Sequence, residues 1–333
     1  MAGMRPSTLC RGLSAAARLA PSPVAPMPER TEFDEWLASE LDELRVVEVD
    51  RCCSGLVSCE WISRAMKVAI ETQRRAAERA VNGGCPTTRG RRLVDAYLEG
   101  AIELLDGCNG LRETTESTRR YVALVGSISR CLGRGPTGEA VERALSMLAA
   151  LERVKRDGNE LGRLRKLGKR MQSLRPAAGV GGELEEALHA SISTAALATG
   201  SLAAGLSFKF DHRVVLGDKK SRRVGSSWVT VLDELSKRVK ADQAEKGRTR
   251  GRVPLLNELS HVVTTVQKLG KLLLRQPEND DGRRREFKRT VESLGRSCNE
   301  LEQGIKMLEL RINELYRSLI SVRVALLGTL SGS

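Results

Sequence analysis

The sequence predicts an all-α protein: an elongated multi-helix bundle with two long heptad-patterned helices. Aromatic residues form only 3% of the chain, although 41% of its 333 residues are hydrophobic. A core must therefore be built from Leu, Val, Ile and Ala, which suits helices better than a β-sandwich or a barrel. Apolar residues also recur at steps of three and four over most of the chain, which is the spacing of one helix face.

The predicted helices lie between residues 31 and 330, which we expect to form a single domain. The first helix begins at Thr31, whose hydroxyl caps it, and Asp34 completes a capping-box pattern. Pro254 is predicted to lie in the first turn of the seventh helix. The later helices are predicted at about 58–81, 90–132, 137–174, 183–208, 226–245, 254–275 and 287–326. The stretches near 209–225 and 246–253 are predicted to be basic loops.

The helices predicted at 90–132 and 287–326 are unusually long. The seam of the last helix steps strictly by three and four from Phe287 to Leu326, which is a heptad pattern. Small residues such as Gly295 and Gly304 flank this seam. They favour packing inside one bundle, with a two-chain coiled coil as the alternative.

The net charge of +13 is concentrated in two zones. Residues 151–175 carry nine basic and three acidic side chains, and residues 209–252 carry thirteen and six. Such zones suit either a solvated basic surface or contact with an anionic membrane. Nucleic acid is not an expected partner, because Phe208, Phe210 and Trp228 are the only stacking side chains in or beside these zones.

The N-terminal segment and the cysteines indicate in which cellular compartment the protein is expected. The eight cysteines show no Cys-x-x-Cys spacing, which favours a reducing environment. Residues 1–30 contain several Arg, Ser, Ala and Pro residues and no acidic residue before Glu29. This composition fits a transit peptide and a disordered tail equally well. The chloroplast is one predicted location, and the cytoplasm or the membrane periphery is the alternative.

Two Glu-x-x-His pairs are the strongest sign of a metal site, Glu186 with His189 and Glu258 with His261. Helical bundles that bind two metal ions use this pair twice. His261, however, falls one step to the solvent side of its apolar stripe. We therefore interpret the histidines as partly exposed side chains.

A row of carboxylates lies on one edge of the helix at 90–132. Its members are Asp95, Glu99, Glu103 and Asp106. They are predicted to form a solvated acidic face or to dock a basic helix. No P-loop or Gly-x-Ser-x-Gly pattern occurs in the chain. The sequence therefore predicts no catalytic residue, no cofactor and no metal ligand, and the protein is expected not to be an enzyme.

Residues 187–208 contain no Asp, Glu, Lys or Arg, and a stretch of this length can cross a bilayer. Most of these residues are Ala, Ser, Thr and Gly, which insert poorly. A buried helix of small residues is the favoured interpretation, and membrane insertion is the alternative.

Several blocks of the chain resemble the plant BYPASS family. The most specific block runs from Leu93 to Asn109 and contains Val-Asp-Ala-Tyr-Leu followed by Leu-Leu-Asp-Gly-Cys-Asn. The blocks Phe33 to Leu37 and Glu60 to Met66, the pair Ser227-Trp228 and the long last helix are similar in order and spacing. Together they cover most of the chain from about residue 31 to residue 330.

This resemblance implies a largely α-helical plant protein that acts in root and shoot development without catalysing a reaction. Members of the family are held to restrain production of a mobile, root-derived signal that arrests shoot growth. Related proteins are linked to membranes and to the exocyst tethering machinery. The resemblance thus implies unidentified protein partners, exocyst components among them, and it supplies no catalytic residues.

Overall fold

The structure is a computed structural model that describes residues 31–46, 55–82, 88–133, 135, 137–157, 183–208, 226–248, 253–274 and 281–331. These residues contain eight α-helices and no β-strand, which confirms the all-α class. The helices are α1 (Glu32–Val46), α2 (Cys59–Asn82), α3 (Thr88–Leu132), α4 (Gly138–Asp157), α5 (Glu183–Leu206), α6 (Ser227–Arg248), α7 (Asn257–Leu274) and α8 (Asp281–Ser331).

Four helices, α2, α3, α5 and α8, form the central bundle. α2 packs against α5 and α8, and α3 packs against the same two helices from the opposite corner. α2 and α8 run parallel, since Cys59 lies at Gly304 and Ile70 lies at Ser318. α3 is antiparallel to α8, as the hydrogen bonds between them show. The long seams predicted for α3 and α8 therefore face one another inside a single bundle.

Small residues let α5 occupy the interior of this bundle. Sixteen of its 24 residues are buried, and most are Ala, Ser, Thr or Gly. The buried Ser191, Thr194 and Thr199 hydroxyls donate to carbonyl oxygens one turn earlier in the helix, at 2.9, 2.9 and 2.7 Å. Protein helices thus cover the uncharged stretch at 187–208. In the part of the chain that the structure describes, no helix combines the length and apolar character needed to span a membrane.

α8 carries the most regular buried face. Every seam position from Phe287 to Leu326 is at most 5% exposed, which confirms the predicted heptad face. The helix is 51 residues long, or roughly 75 Å at 1.5 Å per residue. A Cβ atom on Gly304 would lie 2.5 Å from the Cys59 sulfur. The parallel pair α2 and α8 can therefore approach this closely only because residue 304 has no side chain.

The other helices cover the central bundle from outside. α1 packs on α2 and α6, α4 packs on α3, and α7 packs on α8 with a smaller contact to α4. The Arg75 guanidinium lies over the Trp36 ring, 3.7 Å from the ring centroid, and Arg79 lies over Phe33. These cation–π contacts join α1 to α2.

Several predicted boundaries differ from the structure. α6 continues through Arg248, so residues 246–248 are helical and do not form part of a loop. The Lys246 ammonium stabilises this last turn because it donates to the Leu255 carbonyl at 2.7 Å and to the Asn257 side chain at 2.6 Å. α7 begins at Asn257, so Pro254 precedes it in a buried non-helical segment. Residues 1–30, 158–182 and 209–225, to which the tail, the end of the fourth helix and a basic loop were assigned, lie outside the described residues.

Replacement of Gly304 by Ala should destabilise the bundle. The new methyl would meet the Cys59 sulfur at 2.5 Å and its Cβ at 2.9 Å, and such overpacking costs about 1–3 kcal/mol. Chemical denaturation followed by circular dichroism measures the change in the free energy of unfolding.

The matched control is Gly328→Ala on the same helix, where a Cβ would meet no atom within 4 Å. This control should be neutral or stabilising by up to about 1 kcal/mol, since Ala favours helix over Gly. Cys59→Gly, which removes both opposing atoms, should recover part of the loss in the double variant. An unfolding free energy for Gly304→Ala that equals the control would contradict the close approach.

Candidate functional site

Asp34 is a buried carboxylate that joins the beginnings of α1 and α6. The backbone N–H of Asp34 donates to Thr31 Oγ1 at 3.0 Å, so the predicted cap of the first helix is confirmed. The Asp34 carboxylate does not complete a capping box. It accepts instead from the Ser227 hydroxyl at 2.8 Å and from the Trp228 backbone N–H at 3.2 Å, and thereby caps α6. This residue is only 2% exposed.

Glu186 brings the beginning of α5 to the same place. Its carboxylate accepts from the Thr31 hydroxyl at 3.2 Å, the Ser226 hydroxyl at 3.1 Å and the Trp228 indole N–H at 3.2 Å. The His189 ring lies beside Trp228, with ring centroids 5.4 Å apart. We call Thr31, Asp34, Glu186 and residues 226–228 the helix-start junction. Because anionic groups favour helix N-termini, three helix starts meeting on two carboxylates form a stable arrangement.

Glu258 plays the matching role at the start of α2. Its carboxylate accepts from the backbone N–H of Cys59 at 3.0 Å. Burial, together with the negative charge of Glu258, raises the pKa of the Cys59 thiol far above its usual range. This thiol therefore stays protonated and unreactive at neutral pH. His261 is exposed, and its Nδ1 lies 2.8 Å from the Ser297 hydroxyl.

The two Glu-x-x-His pairs are accordingly used for different purposes. Glu258 caps the start of α2, whereas Glu186 accepts from side chains near the starts of α1 and α6. The His189 ring packs on Trp228, and His261 lies within hydrogen-bond distance of Ser297. Within the described ranges, no three His, Cys, Asp or Glu residues are grouped so that they could hold a metal ion.

Tyr97 anchors a polar bridge through the middle of the central bundle. Its hydroxyl donates to Gln73 Oε1 at 2.5 Å, and Gln73 Nε2 donates to the Ser191 carbonyl at 2.9 Å. Burial raises the pKa of the Tyr97 hydroxyl well above its usual range, so the group remains a neutral donor. The bridge links α2, α3 and α5 across the core, and it fixes how they are rotated relative to one another.

The acidic edge of α3 remains open. Asp95, Glu99 and Asp106 are exposed, Glu103 is half-buried, and the Ile102 side chain between them is 48% exposed. The solvated acidic face is therefore the arrangement found, and these exposed side chains are not covered by a basic helix of the described part of the chain.

The sequence analysis missed an apolar stripe on the outside of α8. Leu310, Ile320, Val324 and Leu327 are 64%, 41%, 65% and 48% exposed. At 100° per residue these four side chains fall on one face, opposite the buried seam. We call them the outer α8 stripe. Its sequence signal is the occurrence of apolar residues on both faces of α8 from Leu310 to Leu327.

A basic trough between α7 and α8 was also missed. It is an open recess of about 840 Å³. Its lining includes His261 and Lys268 from α7 with Arg285, Glu286, Arg289 and Arg296 from α8. Its sequence signal is the run from Gly282 to Arg289, which holds five basic residues and one acidic residue. This run is shorter than the two basic zones and lies outside both of them.

Replacement of Asp34 by Ala should destabilise the protein by about 2–4 kcal/mol. The substitution leaves the Trp228 N–H and the Ser227 hydroxyl without their buried acceptor, and such losses are among the larger single-site effects. The free energy of unfolding is measured by chemical denaturation.

Glu35→Ala is the control, because Glu35 is an exposed acid in the same first turn of α1. It should change stability by no more than about 0.5 kcal/mol. A double-mutant cycle with Ser227→Ala should show a coupling of about 0.5–3 kcal/mol. Additive effects would argue against the helix-start junction.

Replacement of Tyr97 by Phe should cost about 1–2 kcal/mol, because Gln73 Oε1 loses its donor inside the core. Adding Gln73→Met should cost less than it does in the wild-type background, since both polar partners are then gone. Tyr316→Phe, on a half-buried tyrosine of α8, is the control and should be nearly neutral. Equal losses for the two Tyr→Phe variants in thermal denaturation would contradict the bridge.

Comparison with known proteins identifies the family of this chain. A family model described as "Protein BPS1" matches residues 87–328. A curated relative from Arabidopsis thaliana, "Protein ROH1D", is 24% identical over 123 residues, which is 35% of this chain and 31% of that protein. The match thus spans about a third of the relative's length. No solved structure matches the chain. The family match covers well over half of the chain and confirms the resemblance seen in its motifs: the chain belongs to the BPS1 family.

Proposed function

We propose that this protein is a non-enzymatic plant developmental regulator that acts through helical contacts with other proteins. In this proposal it supports normal root and shoot development by restraining production of a root-derived mobile signal. Membership in the BPS1 family is the observation that carries the developmental role. The mode of action is argued from the structure.

Polar side chains in the motif blocks form hydrogen bonds within the protein itself. Asp34 caps α6, Tyr97 bridges the core, and the Trp228 indole donates to Glu186. Groups that are buried and hydrogen-bonded in this way stabilise one arrangement of helices. They support a protein whose shared motifs maintain the fold and whose surfaces contact other molecules.

The outer α8 stripe is the surface that best fits a protein partner. Its four apolar side chains point away from the bundle along about 25 Å of helix. Ile320, Val324 and Leu327 recur at steps of four and three, and Leu310 lies ten residues before them. An outward apolar patch of this kind is what a partner helix or groove buries. We therefore propose that a partner of this regulator packs against α8 between Leu310 and Leu327.

Reciprocal grafting tests the developmental role. Rootstocks that lack this protein should arrest the growth of normal shoots, whereas normal rootstocks should support shoots that lack it. Shoot arrest that follows the genotype of the shoot would contradict a root-derived signal.

The double variant Ile320→Glu with Val324→Glu tests the contact surface. Both side chains are exposed, so the circular dichroism spectrum and melting temperature should stay unchanged. In a plant that lacks the protein, this variant should fail to restore shoot growth, because two charges on the stripe prevent apolar packing.

The matched control is Val81→Glu with Ile102→Glu, which charges two equally exposed apolar residues on α2 and α3. It should restore shoot growth as the wild type does. Rescue by the stripe variant, or failure of both variants, would remove α8 as the contact surface.

A second candidate function is a peripheral membrane adaptor linked to the exocyst and to vesicle tethering. Its support is the basic trough together with the two basic zones of the sequence. Flotation with vesicles that contain phosphatidylserine tests it, and binding should fall steeply as salt is raised. Absence of binding at low salt would eliminate this candidate.

A further inference from the structure

Contacts between α7 and α8 lie near the two ends of the basic trough. The His261 ring lies 2.8 Å from the Ser297 hydroxyl at one end, and the Lys268 ammonium lies 2.8 Å from the Glu286 carboxylate at the other. The lining positions of α8 run from Gly282 to Arg296, which is about 20 Å of helix. The trough is therefore an elongated recess between two antiparallel helices.

Two exposed arginines of the trough, Arg289 and Arg296, contrast with the arginines of this protein that are held in ion pairs. Arg74, Arg119 and Arg311 each form an ion pair with a carboxylate three or four residues away or on a neighbouring helix. Arg289 and Arg296 line the trough, and among the described residues neither forms an ion pair or a side-chain hydrogen bond. Two guanidinium groups in one recess repel each other and favour a shared anion.

The balance of charge in the trough leaves a clear excess of cations. The single carboxylate of the lining, Glu286, is paired with Lys268. Arg285, Arg289 and Arg296 then remain, and the Arg285 Nε donates to the Asp281 carbonyl oxygen of its own helix at 3.3 Å. A ligand that satisfies this site must carry several negative charges.

The uncharged part of the lining narrows the class of ligand. It consists of Thr265, Gly282, Thr290 and Ser293, with no aliphatic or aromatic side chain apart from the His261 ring. A peptide would need apolar anchors, and a nucleotide base would need a stacking surface. Neither is present in the described lining. Guanidinium groups bind phosphate in a two-pronged geometry, and the volume lies within the range of small-molecule sites.

We propose that the basic trough binds a soluble small molecule that carries several phosphate groups and no aromatic base. Arg289 and Arg296 would each bind one phosphate group, and Arg285 would balance the remaining charge. This inference is independent of the partner surface on α8, which lies at the other end of that helix.

Calorimetric titration of the full chain with myo-inositol hexakisphosphate at about 0.15 M salt tests the proposal. The double variant Arg289→Gln with Arg296→Gln should weaken binding about tenfold or more, since it removes two charge-assisted contacts. The control, Arg92→Gln with Arg317→Gln, removes the same charge from exposed positions outside the trough. It should bind within about twofold of the wild type.

Each alternative result has a definite meaning. Equal loss in both double variants would show a response to net charge only and would overturn the site. Citrate at the same concentration should bind much more weakly, and binding equal to that of the phosphate compound would overturn the phosphate assignment. Binding only to vesicles that contain phosphatidylinositol 4,5-bisphosphate, with none to the soluble compound, would overturn a soluble ligand.

Discussion

Close approach of helix backbones is the constraint on which this fold depends. With few aromatic residues available, the bundle gains its packing from proximity rather than from large side chains. Gly304 lets α2 and α8 meet at Cys59, and the small residues of α5 let that helix pass between α2 and α3. Because interiors are packed as densely as crystals of small molecules, a change of one methyl group at such points is felt by several helices.

The ends of the helices are secured by a second set of interactions. Each buried helix start presents N–H groups that need acceptors, and here carboxylates distant in sequence supply them. Asp34 serves α6, and Glu258 serves α2. The same bonds explain how acidic side chains can lie at buried positions in a basic protein. Their oxygens are already shared among donors that belong to the scaffold.

Local rules predicted much of this architecture. The buried face of α8 followed from a strict heptad, and the cap at Thr31 followed from its position before an apolar stripe. Asp34 was assigned to its own helix, because its true partners lie 193 and 194 residues away. The last turn of α6 was missed for the same reason, since Lys246 is held by groups beyond the loop. The basic trough and the outer α8 stripe depend on which helices become neighbours, and one sequence does not reveal this.

The position of α2 has a consequence for how pieces of this protein can be handled. The segment shared with the family begins at residue 87, yet α2 ends at Asn82 and forms one corner of the central bundle. A fragment cut at the family boundary would lack that corner and would leave the inner faces of α5 and α8 in water. A fragment prepared for expression should therefore begin before α2 rather than at residue 87.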